Sequence, residues 1–205
     1  MNMPKDFNEA QGFSSFEQLE VGGHICRIMN VEETKTKNGG KDMVVIYLDT
    51  DKTDKQPEYY TKQYKSNNKE NKKWSNNAIC RQLVLDADGF TNRGFKSFID
   101  CVEGSNNGFK VQWGENFCNC LKGKLVGGVF GREEYLNQST GESKLATKFQ
   151  NFRTVEMIKK GVEPPKDKLL NPSGNNGYTA PTNNPFTGAS FDEDITPVDD
   201  DCMPF

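Results

Sequence analysis

Histidine occurs once in the 205 residues, at His24, and that scarcity removes whole classes of chemistry. One imidazole cannot build a multi-histidine metal site, and no Ser-His-Asp set or G-x-S-x-G elbow assembles around it. The six cysteines (Cys26, Cys80, Cys101, Cys118, Cys120, Cys202) contain no Cys-x-x-Cys unit and no paired framework. Free thiols in a reducing compartment are expected, with no structural metal. No stretch approaches the roughly 18 consecutive apolar residues of a membrane span, and the N-terminus lacks a basic-then-apolar signal pattern. The expectation is a cytoplasmic protein with no membrane partner. The glycine-rich run at Gly127, Gly128 and Gly131 lacks the spacing of a P-loop or a dinucleotide fingerprint, so no cofactor is implied. Carboxylates are plentiful, and Asp49/Asp51 and Asp86/Asp88 have the spacing of metal ligands. A metal-dependent nuclease therefore stays open, although both pairs flank turns, where Asp is expected anyway.

Charge is unevenly placed. Of the net −3, residues 169 to 205 account for −6, with six acids (Asp192, Glu193, Asp194, Asp199, Asp200, Asp201) and no Lys or Arg. Residues 1 to 168 then carry 26 basic and 23 acidic side chains, a net of +3. A basic body with an acidic tail suits a chain that meets a polyanion with one part and proteins with the other. Composition marks three parts: an arm over 1–20 with Phe7, Phe13 and Phe16 among polar residues; one domain over 21–168; and a stretch over 169–205 rich in Asn, Pro, Gly, Ser and Thr. The last is too polar to offset its ordering entropy and is expected to be a disordered tail. It closes on Asp199, Asp200, Asp201, Cys202, Met203, Pro204 and Phe205, presenting a ring and a carboxylate at a free end.

Within the domain the pattern is mainly β. Ile25 to Val31 reads as a strand, Asn38-Gly39-Gly40 as a hairpin turn, and Met43 to Leu48 as the return strand. The return strand is apolar on both faces, which places it centrally in a sheet or at a dimer interface and leaves a homo-oligomer open. Phe95, Phe98, Ile99 and Val102 fall at helical spacing, with Thr91 or Asn92 as N-cap and Gly104 as a stop. Phe109, Val111 and Trp113 alternate as a buried strand face, with base stacking as the other reading of Trp113. Lys122 to Tyr135 and Lys144 to Arg153 read as two further strands joined by a polar turn, and Val155 to Gly161 as one helical turn. In the first of these strands Gly127, Gly128 and Gly131 mark bends or close approaches. A Greek-key barrel of about five strands with one packed helix satisfies this order.

Residues 52 to 76 interleave lysines with aromatics. Lys62, Lys65, Lys69, Lys72 and Lys73 accompany Tyr64 and Trp74, and alternation sends Tyr60, Lys62 and Tyr64 toward one strand face. Such a set neutralises phosphates while rings stack on splayed bases. Tyr59 and Tyr60 are open to either a core or a contact reading. Lys148, Phe149 and Arg153, with Phe152 beside them, form a second basic-aromatic set.

The C-terminal residues Asp199, Asp200, Asp201, Pro204 and Phe205 resemble the tip of bacterial and phage single-stranded DNA-binding proteins, in which acids lead into a hydrophobic end closing on Pro-Phe. That resemblance implies a docking peptide for replication, recombination or repair proteins. The body is also similar to a family of small DNA-binding proteins from phages of Gram-positive bacteria. The likeness runs through Gly94-Phe95-Lys96 to Glu103-Gly104-Ser105-Asn106, Lys122-Gly123-Lys124 to Arg132-Glu133-Glu134-Tyr135, and Phe152-Arg153-Thr154-Val155-Glu156. It implies an oligonucleotide-binding (OB) barrel, single-stranded DNA as ligand, a host-cell cytoplasmic setting, and protection of DNA during phage replication and recombination without catalysis. A strand-annealing or recombination-mediator role is the alternative within the same class.

Overall fold

A computed structural model describes residue 3 and residues 17–37, 39–68, 70–137 and 140–170. β-Branched and aliphatic residues keep Gly22–Lys35 extended as β1, and Asp42–Thr50 returns beside it as β2. The turn between them falls at the glycine pair, where Gly39 and Gly40 both take positive φ (88° and 60°). A bulge between Ile28 and Asn30 bends β1, whose first residues, Gly22 to Arg27, also pair with β4 (Leu125–Leu136). β3 (Ile79–Leu83) adds to β2 and β5 (Ser143–Arg153) adds to β4, every pair antiparallel.

The resulting order is β3-β2-β1-β4-β5. Three meandering strands with the fourth returning beside the first make a Greek key. The two ends of the order, β3 and β5, approach each other, and a 3-10 turn at Asn76–Ala78 packs against β5. The sheet therefore curls into a partly open, OB-like barrel. As its two apolar faces foretell, β2 is buried from Met43 to Thr50 and bonded along both edges.

Helix α1 (Tyr59–Ser66) lies in the β2–β3 connection, and α2 (Arg93–Ser105), α3 (Phe117–Leu121) and α4 (Val155–Lys160) follow. The aromatic stripe of α2 (Phe95, Phe98, Ile99, Val102) is buried, with Phe98 and Phe152 ring centroids 4.8 Å apart. Its N-cap is Asn92, whose side chain accepts from Gly94 and Phe95 N–H. Gly104 does not stop the helix. The stop is Asn106, whose side chain donates to the Val102 and Leu125 carbonyls and accepts from Leu125 N–H, tying the last turn to β4.

Two segments depart from their sequence pattern. Tyr60 to Lys65 alternates like a strand but forms α1, because its N-terminus is capped from a neighbouring strand end. Phe109 to Trp113 alternates too, yet runs as irregular chain. Gly108 and Gly114 bound it with φ of 72° and 81°; Phe109 N–H donates to the Asn106 carbonyl, Val111 N–H to Glu103 Oε1 and Gln112 N–H to Cys120 Sγ. Val111 is buried as expected, whereas Trp113 is 66% exposed and lies flat on Phe117 (5.5 Å, 14°). Close approach explains Gly127, where a Cβ would meet the Arg153 and Thr154 carbonyl oxygens at 2.8 and 2.9 Å.

Cys26, Cys80, Cys101, Cys118 and Cys120 are free thiols, and Cys202 lies outside the described residues. Burial pushes the Cys80 thiol up to about 12 and Cys101 to about 11. No helix among the described residues is long and apolar enough to cross a membrane.

Candidate nucleic-acid interface

The end of β2 and the loop after it build the platform for α1. Asp49 Oδ1 accepts from Thr50 and Tyr60 N–H at 2.8 Å each, Asp49 Oδ2 from Thr61 N–H at 3.2 Å, and Thr50 Oγ1 from Tyr59 N–H at 2.9 Å. These side chains do the work of an N-cap that Glu58, left-handed at φ 51°, does not do. Burial raises the Asp49 carboxyl above the ordinary range, against the hydrogen bonds of Thr61, Tyr60 and Thr50. Asp54 behaves oppositely. Burial works to raise it, but hydrogen bonds from His24, Gln56 and Ile25 outweigh that and hold it low. His24, fully buried, links Asp54 Oδ2 (2.8 Å) and the Glu20 carbonyl (3.0 Å), which pins the loop carrying α1 to the start of β1.

Asp49→Ala is expected to lose about 2 kcal/mol of stability, whereas Asp49→Asn keeps the two Oδ1 contacts and loses less. Urea unfolding of both variants checks the order. A loss below about 0.5 kcal/mol in Asp49→Ala would mean that the carboxylate is not the cap.

Helical winding sorts the lysine-aromatic stretch by face. Tyr60 turns inward, 2% exposed and 6.3 Å from Phe130, while Lys62 and Lys65 turn outward. Residues 59 to 75 hold five lysines and one acid, Glu70. Lys62, Lys65, Lys72 and Lys73 are exposed and make no ion pair among the described residues. By contrast Lys52 and Lys55 just upstream pair with Glu58 and Glu20. Lys72 Nζ lies 5.5 Å from the Tyr64 ring centroid. A cleft of about 390 Å³ opens beside them, lined by Tyr60, Gln63, Tyr64, Ser66, Asn67, Lys73 and Ser75. A second, of about 220 Å³, is lined by Gln18, Leu19, Tyr59, Tyr60, Gln63, Asn77, Tyr135, Leu145, Ala146 and Thr147. The larger cleft carries Lys73 on its wall and Lys72 beside its Tyr64, which suits a polyanion with flat, polar-edged substituents.

The candidate contact residues divide. Tyr64 and Lys73 line the larger cleft and Lys72 lies beside Tyr64, whereas Lys62 and Lys65 stand on the outer face of α1 and do not line it; Lys69 lies outside the described residues. Trp74 is corrected: it is 5% exposed and its indole N–H donates to the Leu48 carbonyl at 3.0 Å, so it is a core residue backing Tyr64 (5.8 Å). Phe149 is half-buried and packs between Phe130 (5.8 Å) and Phe152 (4.5 Å). Lys148 pairs with Glu133 (3.1 Å), which Lys168 also holds (2.9 Å), and Arg153 donates to the Phe152 carbonyl. Neither lines the two clefts. Asp199, Asp200, Asp201, Pro204 and Phe205 lie outside the described residues.

The acidic pairs serve the fold. Asp49 caps α1; Asp51 accepts from Thr53 and pairs with Arg27. Asp86 accepts from Asp88 and Phe90 N–H in its own turn. Among the described residues no three His, Cys, Asp or Glu side chains group as a metal site. Gln63, Asn67 and Ser75 are cleft residues that a strand reading of 60–65 conceals. Counting the same segment at helical period places Gln63 and Asn67 one turn apart on the side of Tyr60 and Tyr64. No protein-family model and no curated protein matches the chain.

Trp74→Phe, which removes the bond to Leu48, is expected to cost on the order of 1–3 kcal/mol in urea unfolding. Affinity of the folded variant for poly-dT should stay within twofold; a large loss of affinity without a loss of stability would return Trp74 to the interface.

Proposed function

We propose that this chain is a non-enzymatic, sequence-tolerant single-stranded DNA-binding protein that covers DNA during replication and recombination. One observation carries the reading: on an OB-like barrel, α1 and the segment after it build a cleft walled by Tyr64 and Lys73, with Lys72 beside the Tyr64 ring and with Lys62 and Lys65 exposed on the outer face of the same helix, none of the four ion-paired among the described residues. Lysines without carboxylate partners among the described residues displace counterions from phosphates, and a tyrosine ring at a cleft wall offers a face on which a base stacks. Gln63, Asn67 and the serines add hydrogen-bonding groups without a fixed pattern that would choose one base. The tail enters the proposal through its sequence, as a docking peptide for replication, recombination or repair proteins, with Phe205 and the acids Asp199, Asp200 and Asp201 suited to an apolar pocket with a basic rim.

The test is binding to poly-dT and to duplex of equal length across a salt series, with and without Mg²⁺. Preference for the single strand and a steep fall of affinity with salt are expected, with the substrate left intact. A flat salt response sinks the interface. Loss of substrate that depends on Mg²⁺ supports a nuclease instead, and accelerated pairing of complementary strands supports an annealing protein.

A further inference from the structure

The interface has two compartments that share a wall of two residues. Tyr60 and Gln63 line both clefts; Tyr64, Asn67, Lys73 and Ser75 belong only to the larger, and Tyr59, Asn77, Tyr135 and Leu145 only to the smaller. The smaller reaches the tip of the β4–β5 hairpin, where Tyr135 is 39% and Leu145 41% exposed. Resting on the single-stranded DNA reading, we infer that the clefts are consecutive base subsites divided by Gln63, and that Tyr135 and Gln63 are contact residues.

The chemistry of the walls carries this. Each cleft pairs a ring or aliphatic surface, fit for a base face, with amide groups fit for a base edge: Gln63 and Asn67 on one side, Gln18 and Asn77 on the other. An amide offers both donors and an acceptor, so it meets any base edge. The larger cleft, about 390 Å³, falls within the range of about 300–1,000 Å³ that takes a small ligand. The smaller, about 220 Å³, takes a base without its sugar. Because the clefts share a wall, neighbouring nucleotides of one strand reach both while the backbone passes beside Lys73, the cation on the wall of the larger cleft. The strand then crosses α1 and ends against β5, the side of the barrel left open between β3 and β5.

Tyr135→Ala and Gln63→Trp test the track on the full chain with oligo-dT, alongside photocrosslinking to oligo-dT bearing one 5-iododeoxyuridine. Tyr135→Ala should weaken binding about tenfold, the loss of one stack, with urea unfolding unchanged because the ring is partly exposed. Gln63→Trp should weaken binding at least as much by filling the shared wall. Crosslinks should map to Tyr64 and Tyr135. If the unaltered chain binds oligo-dT while both variants bind equally well and no crosslink reaches Tyr135, the track is wrong and the DNA-binding reading stands. If the unaltered chain does not bind oligo-dT, the reading itself fails and the track with it.

Discussion

Replacing Lys62, Lys65, Lys72 and Lys73 together by alanine is expected to weaken poly-dT binding by about two hundredfold at 0.15 M salt. Each phosphate contact on a single strand contributes about 0.7 to the slope of log affinity against log salt, which at that concentration is about fourfold in affinity. Four contacts compound to the stated loss, and the slope itself should fall by about 3. The fold should survive. All four side chains are exposed and none is ion-paired among the described residues, so each replacement is a surface change worth about ±0.5 kcal/mol or less. Lysine to glutamine at the same positions should reproduce the loss, which separates charge from side-chain bulk. A loss below about fivefold, or an unchanged salt slope, would falsify the assignment of this face as the phosphate track.

Ending the chain before Asp192 is expected to separate two activities. The removed residues carry all six acids of the tail. Oligo-dT binding should persist, and at low salt should tighten slightly, because an anionic segment no longer competes for the lysines. Capture of replication, recombination or repair proteins should disappear. Phe205→Ala alone should weaken that capture by at least about thirtyfold, the measure of a buried aromatic hot spot. Pull-downs with the intact, truncated and Phe205→Ala chains read the effect. Partners retained by the truncated chain would place docking on the body.

The two predictions address parts of the chain that differ in how they carry information. A docking tip needs only a short string of side chains at the end of a polar stretch, so its chemistry is legible residue by residue. A groove is assembled from segments distant in sequence. Gln18, Gln63 and Tyr135 border one cleft, and no pattern within any one of those segments brings them together.

The fold shows the same division. Alternation and turn chemistry placed the β1–β2 hairpin, β4 and β5, and helical spacing placed α2, because each of those elements buries a face whose period is written in its own residues. Tyr60 to Lys65 misled because tyrosine and threonine favour strands, and the cap that makes the segment helical comes from Asp49 and Thr50 on another element. Trp74 and Trp113 exchanged expected places for a related reason. Trp74 finds a buried carbonyl for its N–H at Leu48, while Trp113 follows a chain whose N–H groups at Val111 and Gln112 bond to side chains.

What the sequence determined by itself was the mainly β class, the long hairpin, the principal helix, the basic body and the acidic end, all properties of local period and summed charge. Tertiary structure decided which aromatics face solvent, which lysines keep their charge unpaired, and that α1 closes a groove with the β4–β5 tip. Those outcomes depend on partners supplied through space, and a side chain's exposure and pairing are set by its neighbours in three dimensions rather than by its neighbours along the chain.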